Sequence, residues 1–331
     1  MAYAKIRIMF VVLYSVFFML GAILGSFACC QAYRMRYKEE EKKIGKRSEC
    51  LFCGHKLAWF ELIPIVSWLL QRGRCRKCKK KIGKIEIVSE IVMGIIFCGI
   101  LELLLKQVGL IRSGIFTIGV FNYNLWSGIN FEIILRIFKN PVILIRLFIL
   151  MISAVLFWIL LVYDLKWQRL PSWILYVLIG LGLGYFILNE LVSLGVISQV
   201  KVWLGSTNGG WYSGVAINQR LEILRRDLFI LAGGIMILPG LYFVMYKFSK
   251  EKLVGGGDYL LALAMVLFLG RFELALTLLF VSNLLTLGFN AKQIIHKARM
   301  RVPFGPYLIL GFWIVMLFAR EILQYFYIVS I

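Results

Sequence analysis

The sequence lacks several things that would each have named a class of protein. It has no internal repeat and no low-complexity tract, so it is neither a solenoid nor an array. Short segments of alternating polarity, the mark of a membrane barrel, are missing as well. No RNA- or DNA-binding motif accompanies its basic residues, which argues against a nucleic-acid partner. Negative charge is scarce: 17 Asp and Glu stand against 38 Lys and Arg, for a formal net charge of +21. No clear small-x-small site closes the first apolar run, 8–28, and Ser26 stands where a lipoprotein signal before Cys29 needs an aliphatic residue. That run reads as a retained first helix.

What is present is apolar. Of the 331 residues, 61% are hydrophobic, more than one globular core could hide. The long runs predict an all-α polytopic membrane protein with about eight transmembrane helices, embedded in a lipid bilayer. The expected segments are 8–28, 87–105, 142–162, 173–191, 228–246, 259–269, 274–289 and 304–328. The sixth is too short to cross alone; it either joins the seventh across Gly270 and Arg271 or enters the membrane beside other helices.

Basic residues set the expected orientation. The segment 29–84 carries about sixteen Lys and Arg and is read as cytoplasmic. Threading alternately puts 164–171, 247–257 and 290–303 on the same side, the last two basic through Lys247, Lys250, Lys252, Lys292, Lys297, Arg299 and Arg301. Segments 106–140 and 193–227 fall outside. Asp164 and Asp258 then both lie at the cytoplasmic membrane face.

Asp164 sits in "LLVYDLKWQRLPSW" and Asp258 in "VGGGDYLL". An ionised Asp at a membrane helix centre costs roughly 2.5–3.5 kcal/mol, and three preceding glycines do nothing for packing. Two carboxylates held close share a proton, so one can activate water while the other protonates a scissile carbonyl. The glycines, Gly255 and Gly257 among them, let a backbone approach closely. The plainer alternative is a helix cap at Asp258 and an ion pair of Asp164 with Lys166 or Arg169. Glu90 and Glu273 are placed similarly, so carboxylates alone leave both readings open.

The second signal is a pair of C-x-x-C knuckles, Cys50 and Cys53, then Cys75 and Cys78. Each offers two thiolates to one tetrahedral Zn²⁺, and together they make a closed structural site. In a reducing cytoplasm disulfides are the weaker reading. His55 and His296 read as solvated loop residues, and Cys29, Cys30 and Cys98 as small apolar fillers.

These pieces, in this order, resemble the type IV prepilin peptidases (leader peptidase/N-methyltransferases). "LGSF" at 24–27 closes the first helix, "LAWFELIPIVSW" and "RGRCRKC" lie in the cysteine region, and Glu90 falls at a family Glu. "YDLKWQRLP" resembles the first catalytic segment, "GGGD" the G-x-G-D motif, and "VPFGPYL" a late signature. The resemblance implies a membrane aspartic endopeptidase that cuts the basic leader of prepilins or pseudopilins, with Asp164 and Asp258 as the catalytic pair. It further implies methylation of the new N-terminus with S-adenosyl-L-methionine, with Gly73 either a methyl-transfer contact or a turn glycine. The expected layout is a first transmembrane helix at 1–28, a cytoplasmic zinc-binding domain at 29–85 and a membrane peptidase domain at 86–331, in a bacterial cytoplasmic (inner) membrane. Three positions depart from the family pattern: Leu260 for a Lys, Ile87 for a Pro, and Ser172 for an acid or amide.

Rival readings are a cleavage-only peptidase, a non-enzymatic assembly factor whose zinc module docks a partner, and a proton-coupled transporter. The last needs polar residues along several mid-bilayer helix faces, and few occur.

Overall fold

The computed structural model describes residues 2–40, 48–50, 52–107, 139–194, 217–249, 255–296 and 304–329. Most of the expected outer segments 106–140 and 193–227 lie outside the described residues, as do Lys250, Lys252, Lys297, Arg299 and Arg301 and the side chains of Lys292 and His296. Where the bilayer offers no hydrogen-bond partners, an apolar run must satisfy its own backbone, and helices do so. The apolar runs accordingly form α1 (Ala2–Glu39), α3 (Lys84–Gln107), α4 (Pro141–Trp167) and α5 (Ser172–Ser193). Beyond them come α6 (Ile217–Ile235), a π-turn (Met236–Gly240), α7 (Leu241–Ser249), α8 (Gly256–Leu269), α9 (Phe272–His296), α10 (Gly305–Leu317) and α11 (Ala319–Val329). The loop between α1 and α3 holds a 3₁₀ turn (Trp59–Leu62) and the short α2 (Val66–Leu70). Among the described residues there are no strands, only the isolated bridges Glu49–Lys56 and Arg74–Lys81.

Among the described residues six helical stretches are long and apolar enough to cross a membrane, seven if α10 and α11 count as one span bent by 72°. The all-α membrane fold is therefore as expected, with two refinements. The π-turn, with Pro239 inside it, joins α6 to α7 as one interrupted span. α8 has 14 residues, about 21 Å of helix against a hydrocarbon core of about 30 Å. Gly270 ends it in the left-handed conformation, φ 67°, so it does not continue into α9. From Leu261 to Leu269 it is almost wholly buried among its neighbours.

Two packing devices fix how the helices sit against one another. Gly21 and Gly25 bring α1 so close to α3 that a Cβ at either would strike the backbone of Met93 or Ser89. At the centre, Phe157 of α4, Phe268 of α8 and Phe312 of α10 form one aromatic cluster, with centroids 5.0–6.0 Å apart; such pairs contribute about 0.5–1.5 kcal/mol each beyond burial. Asp164 lies seven residues after Phe157 and Gly305 seven before Phe312. Each is about 10.5 Å along its helix from the cluster. Asp258 lies ten residues before Phe268, about 15 Å. α4 runs toward the site while α8 and α10 run away from it, so all three residues arrive at one end of the bundle.

Candidate active site and cysteine module

Asp164 is on the last turn of α4, with only 6% of its surface exposed. Its carbonyl accepts the N–H of Gln168, whose left-handed backbone (φ 52°) ends the helix. Asp258 is half-buried at the third position of α8. Its Oδ2 accepts the Gly255 N–H at 3.0 Å, and its own N–H donates to the Gly255 carbonyl at 3.1 Å. The capping role weighed from sequence is thus real at Asp258. The ion-pair alternative for Asp164 is not: among the described residues no salt bridge joins it to Lys166 or Arg169, and Lys166 instead stands 5.9 Å from the Tyr33 ring.

The two carboxylates lie within electrostatic reach of one another, and two close approaches bring them there. A Cβ on Gly257 would fall 2.8 Å from Cβ of Leu170, so the glycine stretch rides directly on the segment that leaves α4. A Cβ on Gly305 would fall 2.7 Å from Oδ2 of Asp164, and the Gly305 N–H donates to that carboxylate. Gly305 opens α10, so the positive end of that helix faces the acid. Tyr242 of α7 is buried, packs on Phe304 at 5.5 Å and reaches Asp258 electrostatically. Sequence reasoning noted "VPFGPYL" but assigned no role to Gly305, and Tyr242 carried no signal. Such a site can hold a water between two acids at the end of a membrane bundle.

The cysteine module is built from two matching knuckles. Cys50 N–H donates to the His55 carbonyl and Gly54 N–H to the Cys50 carbonyl, both at 2.9 Å. In the second, Cys75 N–H donates to Lys80 and Lys79 N–H to Cys75, again at 2.9 Å. Gly54 (φ 66°) and Lys79 (φ 59°) take the same left-handed place in each turn. The four sulfurs lie within 4.8 Å of one another, with Cys50–Cys78 at 3.9 Å and Cys53–Cys75 at 4.0 Å. A tetrahedron with Zn–S bonds of about 2.3 Å needs S···S near ~3.8 Å, so the donor set fits zinc. Backbone N–H groups of Cys78 and Lys77, with help from the other thiols, hold Cys75 down at about 6. A His55 N–H lowers Cys53 too, but desolvation and the shared protons of the other three thiols outweigh it and push Cys53 up to about 11.

His55 stays outside the thiol cluster, as expected, and is partly exposed; its Nε2 lies 3.3 Å from Glu61 Oε2, which also accepts the Ala58 N–H at 2.9 Å. Gly73 has φ 64°, and a Cβ there would meet the Trp68 ring at 2.7 Å, so the turn itself demands glycine. Glu90 anchors the module to the membrane bundle. It accepts the N–H of Ile65 at 2.6 Å and a hydrogen bond from Ser26 of α1. Ile65 sits at φ 63°, ψ −53°, the centre of a γ-turn closed by Val66 N–H to Pro64 at 2.6 Å. That conformation is strained for a β-branched residue and persists only where neighbours hold it.

Residues 19–103 match the model of the Bacterial Peptidase A24 N-terminal domain. A prepilin leader peptidase/N-methyltransferase of Myxococcus xanthus is 40% identical over 86 residues, 26% of this chain and 25% of that one. One from Bacillus subtilis is 25% identical over 315 residues, 94% of this chain and 97% of that one. One from Aeromonas hydrophila is 24% identical over 284 residues, 85% and 74%. No solved structure matches significantly. The likeness to the prepilin leader peptidase/N-methyltransferases runs from end to end, and the N-terminal domain match falls within it.

Proposed function

We propose that this protein cleaves the basic leader of type IV prepilins or pseudopilins at the cytoplasmic face of a bacterial inner membrane, and then methylates the new N-terminus. What supports the peptidase reading is that the buried Asp164 lies within electrostatic reach of Asp258, with Gly305 close against its carboxylate and Gly257 close against Leu170. One carboxylate of the pair takes a proton from water as its oxygen attacks the scissile carbonyl carbon. The other donates a proton to the carbonyl oxygen. Collapse of the tetrahedral intermediate breaks the C–N bond, with a proton passing to the departing amine. Burial of Asp164 at the bundle end limits competing water.

Zinc on Cys50, Cys53, Cys75 and Cys78 would have no open coordination position. It would shape the module without entering the chemistry. S-adenosyl-L-methionine, the implied methyl donor, is a sulfonium cation. The cavity beside the second knuckle is lined by Arg72, Arg74, Arg76 and Lys79 and by no carboxylate, so its charge does not suit that donor. Gly73 remains the proposed methyl-transfer contact, through the backbone of its turn.

The test is co-expression with a prepilin and mass analysis of its N-terminus. Asp164→Asn and Asp258→Asn should each abolish cleavage while the helical content stays. Near wild-type cleavage by either variant ends the dyad reading. Cleavage without the mass of an added methyl group on the new N-terminus leaves a peptidase alone.

A further inference from the structure

The loop between α1 and α3 exposes a large apolar face. Trp59 is 78% exposed, Leu70 80% and Leu69 57%. A soluble surface seldom leaves such a cluster uncovered. Beside it opens a cavity of about 670 Å³, whose lining includes Leu70 together with Arg72, Arg74, Arg76 and Lys79. Arg76 also stands 5.3 Å from the Phe60 ring. Large apolar side chains rimmed by cations make an interfacial surface, with Trp and Leu in the acyl boundary and Arg at the headgroups.

We propose that this face, formed by Trp59, Leu69 and Leu70 and rimmed by Arg72, Arg74 and Arg76, docks on the anionic phospholipid of the bilayer that α1 and α3 enter. Three observations choose lipid as the occupant. The cavity carries four cations against no carboxylate and the single thiol of Cys75, a positive balance that attracts phosphate headgroups and repels a basic leader. The module is tied to the membrane at both ends, by α1 up to Glu39 and by α3 from Lys84. The Ile65 N–H bond to Glu90 lands six residues into α3, about 9 Å along its axis, which sets the turn before α2 beside the first part of that span. Docking here would hold the cysteine module against the lipid near the bundle end where Asp164 and Asp258 lie. The inference rests on the membrane-spanning helices and does not require hydrolysis.

The test places the full chain in nanodiscs of phosphatidylcholine alone or mixed with phosphatidylglycerol and follows amide hydrogen exchange over 59–72. Exchange there should slow in the anionic discs and return to the phosphatidylcholine rate in the triple variant Arg72→Gln, Arg74→Gln, Arg76→Gln. Each cation shifts docking roughly fivefold, on the order of a hundredfold for three. Exchange over 84–105 should match in every sample, which shows the variant folded. Asp164→Asn should behave as wild type. Equal exchange in both discs overturns the proposal. So does slowing by millimolar inorganic phosphate in phosphatidylcholine discs, which would make the site one for free anions, or slowing only when prepilin is added, which would give the face to substrate.

Discussion

Gly305→Ala tests whether the site depends on backbone reaching the carboxylate. The new Cβ would lie 2.7 Å from Oδ2 of Asp164 and 3.4 Å from its Cγ. Unstrained C···O contacts begin near ~3.3 Å, so the acid or the start of α10 must yield by about 0.6 Å. A misplacement of about 1 Å costs on the order of a hundredfold in rate, and 0.6 Å scales to roughly ten- to thirtyfold, or about 1.4–2 kcal/mol in the barrier. Stability should not fall in step, because Ala at a helix start is at least as favourable as Gly. Gly184→Ala is the control: a Cβ there meets nothing within 4 Å. The assay is single-turnover cleavage of prepilin in the same detergent, with a thermal melt for each variant. If Gly305→Ala cleaves within twofold of wild type, or Gly184→Ala falls equally, the steric argument is wrong.

The same contacts carry further expectations. Glu90→Ala leaves the Ile65 N–H without its carboxylate, at a cost of about 1–3 kcal/mol; exchange at 63–68 should rise sharply, and unchanged exchange would refute the anchor. Tyr163→Phe removes the 2.6 Å hydrogen bond to Glu39 that ties the end of α1 to α4. The melt should drop by a few degrees, and an unchanged melt would show the bond contributes nothing. One equivalent of zinc should leave with Cys75→Ser, with loss of order over 48–82 and none in the span helices. Zinc affinity should rise with pH. At neutral pH Cys75, near 6, is already a thiolate, while Cys53, near 11, must give up its proton. Titration calorimetry in buffers of different ionisation heat counts the protons released, and a count of zero would overturn this.

Much of the architecture was legible because membrane helices announce themselves: every expected apolar segment coincides with a described helix. The cysteine cluster was equally plain, since C-x-x-C spacing is local and the two turns close within themselves. The bend before α11 and the π-turn at Pro239 were not separable from continuous apolar runs, because hydropathy does not register where a ladder of hydrogen bonds is interrupted; the break at Gly270 was one of two alternatives the sequence left open. The partner of His55 was not legible for a similar reason: Glu61 is six residues on, across a turn that periodicity does not reveal.

Chain composition and local spacing alone indicate a helical membrane protein, two thiol pairs with the spacing to share one metal ion, and which acids stand in glycine-rich or polar breaks. They do so because lipid solvation and C-x-x-C geometry act over a few residues. Folding decided that Asp164 ends up against Gly305, that Gly257 rides on Leu170, and that Glu90 reaches up to hold Ile65. The first two join segments far apart in the chain, and the packing of α4, α8 and α10 around Phe157, Phe268 and Phe312 brings their ends together; the third closes a loop of 25 residues.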